Sequence, residues 1–334
     1  TLQYYFYFCY YFLKYIYYIT VYIQVYSGWM LLVQGFTYIL RHNNSFIMHL
    51  IEVDEEIVRK AVKPRKASSH KGQNGIVLVI GGSWMYHGAP FLSAMAALRA
   101  GVDLAYIAAP EKIALSIRAL SPNIIVIPLT DLKLTRGASR RILKILPSVD
   151  SVVVGPGLAE GSEKGIEFVI GEALALDKKL VLDATALYSG VLPRILGRKV
   201  VMTPHAGEFK RVFREELSGE LHERVDKVRE KASEFKVTIL LKGMIDIISN
   251  GEKTAINKTG TPAMTAGGTG DVLTGVVAAL LAKGAEPFDA AAAGAWINGR
   301  AGEEAASIYG LHITATDVIE FIPKVMKTFD VVVD

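Results

Sequence analysis

The feature that most limits the possible folds is an alternation of short apolar runs with helical segments across residues 76–242. The run Ile76–Ile80 is continuously apolar and ends in two glycines, a pattern typical of a parallel strand that is buried on both faces. Strands that alternate with helices in this way predict a mainly parallel sheet with helices on both of its faces. The sequence therefore predicts an α/β fold.

The individual elements follow from the same patterns. The predicted strands comprise residues 76–80, 104–108, 124–127, 151–154, 180–182, 200–202 and 237–242. The predicted helices comprise residues 53–62, 90–100, 111–120, 138–146, 164–176, 272–282, 290–307 and 316–326, with further helical patterns over 209–235. Residues 245–256 form two short strands around Asn250-Gly251, which is a strong hairpin signal. We therefore expect a small antiparallel edge on the parallel sheet.

Residues 1–47 differ in composition from the rest of the chain. They contain eleven of the fifteen tyrosines, the only cysteine (Cys9) and two charged side chains, Lys14 and Arg41. Residues 4–33 are apolar over a length that could span a bilayer, but their tyrosines run through the middle instead of forming interfacial belts. Our interpretation is that the native protein begins at Met48 and that this stretch is A/T-rich DNA read as coding sequence. A membrane anchor is the alternative. Residues 48–334 are predicted to form one domain.

Composition excludes several classes of protein. The formal net charge of +4 on 334 residues is too small to indicate nucleic-acid binding. No cysteine follows Cys9, so the main domain has neither disulfides nor thiolate ligands for a metal. This cysteine usage is typical of a reducing compartment, and we expect a cytoplasmic protein.

A glycine-rich turn stands directly before the helical segment 272–282. The residues expected to direct backbone N–H groups at one anion are Gly267, Gly268, Thr269 and Gly270. The N-terminus of the following helix favours negative charge at the same place. Asp271 could take a proton from a hydroxyl that attacks a bound phosphate. The pattern predicts phosphoryl transfer, and an ordinary glycine turn with an Asp cap is the alternative. Neither a Walker motif nor a complete G-x-G-x-x-G is present.

Further glycine-rich or polar segments follow five of the predicted strands. They are Gly81-Gly82-Ser83, Gly155-Pro156-Gly157, Asp183-Ala184-Thr185, Thr203-Pro204-His205-Ala206-Gly207-Glu208 and Lys242-Gly243. Taken singly, each has an ordinary structural interpretation, such as a turn at Gly155-Pro156-Gly157 or a helix cap at His205. In an open parallel sheet, however, ligands bind beyond the carboxyl ends of the strands. The coincidence of these segments at one edge therefore predicts a binding site.

These motifs, in this order, resemble those of the NAD(P)H-hydrate dehydratase family within the ribokinase-like superfamily. The resemblance covers about residues 48–327 and includes Lys71-Gly72, Gly88-Ala89-Pro90 and Gly267-Gly268-Thr269-Gly270-Asp271 as well as the strand-end motifs. It implies a ribokinase-like fold and the repair of hydrated NADH and NADPH. In that family ADP or ATP phosphorylates the ring hydroxyl, with Mg²⁺ on the nucleotide phosphates, and the phosphate is then eliminated. We expect ADP to be the donor.

The resemblance also assigns residues to sites. It implies that the hydrate-binding residues are Ala89, Gly157, His205 and Asp271, with Asp271 as the catalytic base. It implies that the nucleotide-binding residues are Lys242, Gly243, Met244, Ile245, Asp246 and Gly270. No set of metal ligands follows from it. Three positions depart from the family pattern: Asp246 stands for the usual Thr, Ala206 for Pro, and Thr185 for Asp or Gly.

Partners and rival functions follow from the same resemblance. It implies a separate NAD(P)H-hydrate epimerase in the pathway and a homo-oligomer, by analogy a tetramer. The main alternative is a ribokinase-like kinase that phosphorylates a sugar, a vitamin or a thiazole alcohol and stops there. A module that binds nucleotide without turnover is the third interpretation, and Asp271 argues against it because binding alone needs no base.

Overall fold

A ten-stranded sheet lies at the centre of the computed structural model, which describes residues 50–334. The interpretation of residues 1–47 lies outside the described residues. The strands are β1 (Ile51–Glu52), β2 (Arg65–Lys66), β3 (Ile76–Ile80), β4 (Leu104–Pro110), β5 (Ile125–Leu129), β6 (Ser151–Val154), β7 (Lys179–Leu182), β8 (Val200–Met202), β9 (Thr238–Leu241), β10 (Asp246–Ser249), β11 (Thr254–Asn257) and β12 (Val332–Val333).

The order of strands across this sheet is β1-β11-β10-β9-β8-β7-β6-β3-β4-β5. Pairing is parallel from β9 through β5, while β10 pairs antiparallel with both β9 and β11. The predicted parallel sheet with a small antiparallel edge is thus confirmed. The two-residue strand β1 adds to that edge in parallel with β11, and β2 pairs with β12 in a separate two-stranded sheet. Neither pairing is predicted by the sequence pattern.

The helices cover both faces of the sheet. They are α1 (Glu55–Ala61), α2 (Gly88–Arg99), α3 (Glu111–Leu120), α4 (Arg136–Ser139), α5 (Glu163–Ala175), α6 (Leu192–Ile195), α7 (Ala206–Phe213), α8 (Leu221–Phe235), α9 (Thr269–Ala282), α10 (Pro287–Tyr309) and α11 (Ala315–Met326). Among these residues, no helix is long and apolar enough to cross a membrane.

Alternate side chains of the central strands enter two separate hydrophobic cores. Val77 and Val79 of β3 pack in the core that contains α2, α9 and α10, whereas Leu78 and Ile80 pack in the core that contains α5, α7 and α8. A strand with apolar neighbours on both faces needs a continuously apolar sequence, which explains the run Ile76–Ile80. Burial on both faces fixes the register of β3, since a slip of one residue would exchange the two sets of side chains.

The helix predicted over residues 138–146 is wrong in its extent. Helix α4 ends at Ser139, and two short 3-10 turns follow, Ile142–Lys144 and Leu146–Ser148. Pro147, which lacks a backbone N–H and restricts the residue before it, prevents a helix from continuing beyond this segment, but it lies eight residues after the end of α4 and does not explain that end. Ile142 and Leu146 are nevertheless fully buried. The apolar spacing that predicted a helix therefore reflects the packing of these side chains in the core.

The direction of chain progression reverses at the centre of the sheet. Strand β3 has β4 on one side and β6 on the other. The chain runs outward through β4 and β5, then returns to continue on the other side of β3 through β6, β7, β8 and β9. Such a reversal opens a crevice at the carboxyl ends of the two adjacent strands, where ligands bind in α/β proteins. A ligand-binding site is therefore expected at the loops after β3 and β6.

Candidate active site

The crevice between β3 and β6 is lined by two of the residues predicted to bind the hydrate. Gly157 follows β6 with a φ of +67°, and a Cβ added there would lie 2.5 Å from the carbonyl oxygen of Tyr86 and 3.1 Å from Cβ of Ala89. Glycine is required here both by its conformation and by the close approach of the neighbouring loop. The contact places Gly157 against Ala89 in the first turn of α2, so the structure brings these two residues together.

The predicted anion-binding turn lies next to α2 as well. Gly268 has a φ of +97°, and a Cβ on it would lie 2.5 Å from a methyl group of Leu92. One residue further along α2, the hydroxyl of Ser93 donates a hydrogen bond to the carbonyl oxygen of Asp271 (2.8 Å). Helix α2 thus carries Ala89 at its start and holds the glycine-rich turn one helical turn later. This role of Leu92 and Ser93 is not among those predicted from the sequence.

Helix α9 begins earlier than predicted, at Thr269, so that Asp271 lies within its first turn. The hydrogen bond from Val272 N–H to the Gly268 carbonyl (3.0 Å) closes that turn. The N–H groups of residues 269–271, which precede it, have no partner within the helix and are available to an anion. The Thr269 hydroxyl donates to the carbonyls of Met264 (2.8 Å) and Ala266 (3.1 Å), so its side chain shapes the loop.

Lys242 is at the centre of a buried network of charges. Its ammonium lies 2.8 Å from Oδ1 of Asp183 and 3.7 Å from Oε2 of Glu208. The same Asp183 oxygen accepts a hydrogen bond from the Thr203 hydroxyl (2.8 Å). Lys242 Nζ is also 3.4 Å from the position that a Cβ would take on Gly270. The cation therefore sits directly over the first turn of α9, where the lack of a side chain at Gly270 leaves room for it.

Burial and charge shift the protonation of Asp271 and Lys242. Burial raises the pKa of Asp271 to about 7, and the negative charges of Asp183 and Glu208 also raise it while Lys242 opposes them. Burial disfavours the charged form of Lys242, but Asp183, Glu208 and Asp271 outweigh that effect and raise its pKa. A carboxyl with a pKa near 7 beside a permanent cation is suited to accept a proton at neutral pH.

His205 caps α7 at the carboxyl end of β8. Its Nδ1 accepts hydrogen bonds from the N–H groups of Gly207 (3.0 Å) and Glu208 (3.3 Å), and Oε2 of Glu208 accepts from the His205 N–H (2.9 Å). Since Nδ1 is an acceptor, the neutral ring carries its proton on Nε2. The side chain is 60% exposed. The cap fixes the ring, whose Nε2 lies 3.6 Å from Oε2 of Glu208, and His205 pairs with Lys242 in a β-bridge.

The segment from Lys242 to Asp246 forms a tight turn before β10. Oδ1 of Asp246 accepts a hydrogen bond from Gly243 N–H (3.0 Å), and its Oδ2 accepts one from Asn257 Nδ2 (3.0 Å). Burial raises the pKa of Asp246 to about 6, although these hydrogen bonds oppose the rise. One oxygen is therefore occupied within the turn and the other by the neighbouring strand β11. Met244, at its tip, is 93% exposed.

Asp183, Glu208 and Thr203 lie in the strand-end motifs of the sequence, but no role was predicted for them. Asp183 precedes Lys242 by 59 residues, and the pairing arises only because β7, β8 and β9 are adjacent. The available signal was the position of Asp183 and Thr203 directly after parallel strands. Within residues 50–334, no group of three or more His, Cys, Asp and Glu side chains is arranged to hold a metal ion. The carboxylates of the site surround Lys242 instead.

Comparisons with known proteins agree with this arrangement. A family model described as NAD(P)H-hydrate dehydratase matches residues 77–324. The ADP-dependent (S)-NAD(P)H-hydrate dehydratase of Nitrosopumilus maritimus is 51% identical over 275 residues, which are 82% of this chain and 96% of that protein. The bifunctional NAD(P)H-hydrate repair enzyme of Pyrobaculum aerophilum is 49% identical over 268 residues, which are 79% of this chain and 53% of that enzyme.

A solved structure gives the same result. The ADP/ATP-dependent NAD(P)H-hydrate dehydratase of Bacillus subtilis, co-crystallised with ATP and Mg²⁺, superposes with a TM-score of 0.72 at 27% sequence identity. The match covers 85% of this chain and 100% of that protein. The family resemblance found in the sequence motifs is therefore confirmed.

Proposed function

Because the chain belongs to the NAD(P)H-hydrate dehydratase family, we propose that it repairs hydrated NADH and NADPH in a nucleotide-dependent dehydration. The enzyme is a carbon-oxygen lyase that passes through a phosphorylated intermediate. One observation carries the assignment of the catalytic centre: the half-buried Asp271 lies in the first turn of α9, behind the glycine-rich turn and coupled to the Lys242 ammonium. This combines a base, an anion site and a cation in one place.

The first step is phosphoryl transfer to the ring hydroxyl of the hydrate. The hydroxyl oxygen attacks the terminal phosphorus of the nucleotide, the bond to the leaving nucleotide breaks, and Asp271 takes the hydroxyl proton. The N–H groups of Gly267, Gly268, Thr269 and Gly270 stabilise the charge on the transferred group. Lys242 adds a fixed positive charge above Gly270.

The second step is elimination of phosphate. The lone pair of the ring nitrogen expels the phosphate, and loss of a proton from the adjacent ring carbon restores the double bond. Ala89 and Gly157, at the crevice between β3 and β6, and His205, at the carboxyl end of β8, bind the substrate. The short side chains at Ala89 and Gly157 leave space for a planar ring, and Nε2–H of His205 can donate a hydrogen bond to the substrate.

The donor binds at Lys242, Gly243, Met244, Ile245, Asp246 and Gly270. ADP is the donor that we propose, since a relative with 51% identity is named as ADP-dependent. Because the described residues offer no cluster for a resident metal, we assign Mg²⁺ to the nucleotide, where it neutralises charge on the phosphates. Asp246 does not need a metal partner, as hydrogen bonds from Gly243 N–H and from Asn257 Nδ2 on β11 satisfy both oxygens.

The remaining partners are part of the same proposal. A separate epimerase supplies the hydrate epimer that the dehydratase accepts. The protein is a cytoplasmic homo-oligomer, with a tetramer as the expected state, and light scattering coupled to size exclusion measures that state directly. Nucleic acid is not among its ligands.

The proposed function is tested by incubating residues 48–334 with hydrated NADH and Mg²⁺, adding either ADP or ATP, and following the absorbance of the restored dihydronicotinamide ring. We expect the absorbance of the ring to return with ADP and to change little without nucleotide. A folded protein that binds nucleotide but restores no absorbance with either donor would instead support the sugar-, vitamin- or thiazole-kinase alternative.

The pH dependence of the reaction follows from the raised pKa of Asp271. A base must be deprotonated to act, so kcat/KM should rise with pH and level off above an apparent pKa of about 7. A carboxyl with its ordinary pKa of 3.8 would place this limb more than two pH units lower. Initial rates between pH 5 and 9 measure the limb, and a flat profile down to pH 5 would contradict the assignment.

Replacing Lys242 with a neutral residue should shift this rise of kcat/KM with pH. In Lys242→Gln, Asp271 loses the charge that lowers its pKa, so the limb of the kcat/KM profile for the hydrate should shift upward by about 1 pH unit. Rates are measured at saturating nucleotide, because the same change weakens nucleotide binding. Lys253→Gln, at an exposed lysine in the β10–β11 turn, is the matched control and should leave the limb in place. An unshifted limb in Lys242→Gln would show that the two groups are not coupled.

A further inference from the structure

Arg224 lies beside the nucleotide turn although it is distant from that turn in sequence. It is in the first turn of α8, and its Nη2 is 3.4 Å from the position that a Cβ would take on Gly243. Gly243 itself is exposed. The guanidinium therefore borders the open side of the segment that begins at Lys242, and no side chain at Gly243 separates it from a ligand bound there.

The guanidinium of Arg224 lacks a partner among the described residues. Its Nε is buried without a hydrogen bond, and the residues from 50 to 334 provide neither a carboxylate nor a carbonyl to the group. Nearby arginines behave differently: Arg211 donates to the Leu187 carbonyl (2.7 Å), and Arg194 pairs with Glu167 (2.7 Å). An unpaired cation that is partly withdrawn from water is costly. An anionic ligand would relieve that cost.

The nearest carboxylate is already engaged. Asp246 accepts hydrogen bonds from Gly243 N–H and Asn257 Nδ2, one on each oxygen, and it forms no ion pair with Arg224 in the described part of the chain. A phosphate is therefore the remaining acceptor with suitable charge and geometry, since guanidinium groups bind phosphate oxygens with two parallel N–H groups.

The order of groups along the site indicates which phosphate of the nucleotide lies nearest to Arg224. The transferred phosphoryl group belongs at Gly267–Gly270, Lys242 Nζ lies over Gly270, and the chain then passes from Lys242 to Gly243, which Arg224 adjoins. A nucleotide that runs along these residues places its transferred phosphate at the glycine turn. Its next phosphate, the one that stays with the nucleoside, then reaches Gly243.

We propose that Arg224 binds the phosphate of the donor nucleotide that is not transferred, so that it distinguishes a nucleotide from a nucleoside. For ADP this is the phosphate retained in the AMP product. The inference rests on the proposed function only for the identity of the donor. Binding of AMP, which needs no turnover, tests it separately.

The decisive variant is Arg224→Met, which keeps the length of the side chain and removes its charge. We expect the affinity for AMP, measured by calorimetry, to fall about 10- to 100-fold, the usual loss for a charged hydrogen bond. Affinity for adenosine should stay within about twofold. The melting temperature of the ligand-free variant should equal or exceed that of the parent, because a desolvated, unpaired charge has been removed.

That melting temperature separates a binding role from a structural one. A structural arginine would lower stability in Arg224→Met and leave the ratio of AMP to adenosine affinity unchanged, and this result would overturn the proposal. Arg224→Lys retains the charge without the planar group and should recover part of the AMP affinity. Arg229→Gln removes a cation from the same helix, where Arg229 pairs with Asp226 (2.9 Å), and should not alter AMP affinity.

The outcome is distinguishable from a failure of the proposed function. AMP binding that depends on Arg224, in a protein that restores no hydrated NADH, would support this inference and reject the dehydratase. Dehydration by Arg224→Met with parental affinity for both AMP and ADP would support the dehydratase function and reject this inference. A parent protein with no measurable AMP binding would also overturn the inference.

Discussion

Asp271→Asn should lose about 10³-fold in kcat, the range expected when a general base is removed. The amide keeps the shape of the carboxyl in the first turn of α9 but cannot accept the hydroxyl proton. Nucleotide binding should persist, since the N–H groups of the glycine-rich turn are unchanged. The measurement is the rate of ring restoration together with the affinity for ADP. Near-parental turnover would remove Asp271 from the role of base.

Stability provides the check that the variant is folded. The pKa of Asp271 in the folded protein is about 7, against 3.8 for the free group, so the folded state binds more protons between these values. Stability contributed by this group is therefore present below pH 4 and is lost as the pH rises through 7. Asp271→Asn should match or exceed the parent in unfolding free energy at pH 8. A large loss of stability there would contradict the electrostatic account.

The matched control for this variant is Asp317→Asn. Asp317 occupies the same helical position in α11 that Asp271 occupies in α9, and it forms a capping box with Thr314. Its loss should lower stability by about 1 kcal/mol, as for other caps, and should leave kcat unchanged. A kcat loss comparable to that of Asp271→Asn would show that the effect arises from any acidic residue in a first helical turn.

Gly155→Ala should destabilise the protein by about 4 kcal/mol, near the upper end of single substitutions. A Cβ at this position would lie 1.7 Å from the carbonyl oxygen of Asp183, and the φ of Gly155 is +129°. The colliding atom belongs to the backbone, so a side-chain rotation cannot relieve the clash. Either β6 or the segment after β7 must move. Denaturant unfolding measures the loss.

The same change should also reduce activity, because Asp183 is the carboxylate that positions Lys242. Gly171→Ala serves as its control. Gly171 lies within α5 and a Cβ there meets nothing within 4 Å, so the substitution should be neutral or stabilising by up to about 1 kcal/mol. Equal stability of Gly155→Ala and the parent protein would contradict the described packing between β6 and β7.

Much of the fold could be predicted because its signals are local. The run Ile76–Ile80 must be apolar throughout to enter two cores, and Asn250-Gly251 marks the hairpin of β10 and β11. The failures have physical causes. Ile142 and Leu146 are apolar because they are buried in the core, although the backbone there forms 3-10 turns, and a pair of residues such as Ile51–Glu52 is too short to carry a period of two.

The candidate site divides in the same way. Features formed by the backbone can be predicted from glycines in the sequence, such as Gly267, Gly268, Gly270 and Gly157. Features formed by side chains from separate strands have no such local pattern. The contacts of Lys242 with Asp183 and Glu208 are therefore seen only when β7, β8 and β9 lie side by side in the structure. The guanidinium of Arg224, which lacks a partner within residues 50–334, is of this second kind, since the sequence of its own helix does not indicate a ligand.

The central claim is that phosphorylation and elimination occur on one substrate, and phosphorus NMR during turnover tests it most directly. With hydrated NADH, ADP and Mg²⁺, we expect one AMP and one inorganic phosphate for each dihydronicotinamide ring restored, without accumulation of a phosphorylated product. Accumulation of a stable phosphate ester, with the ring absorbance unrestored, would contradict the claim and identify the protein as a kinase.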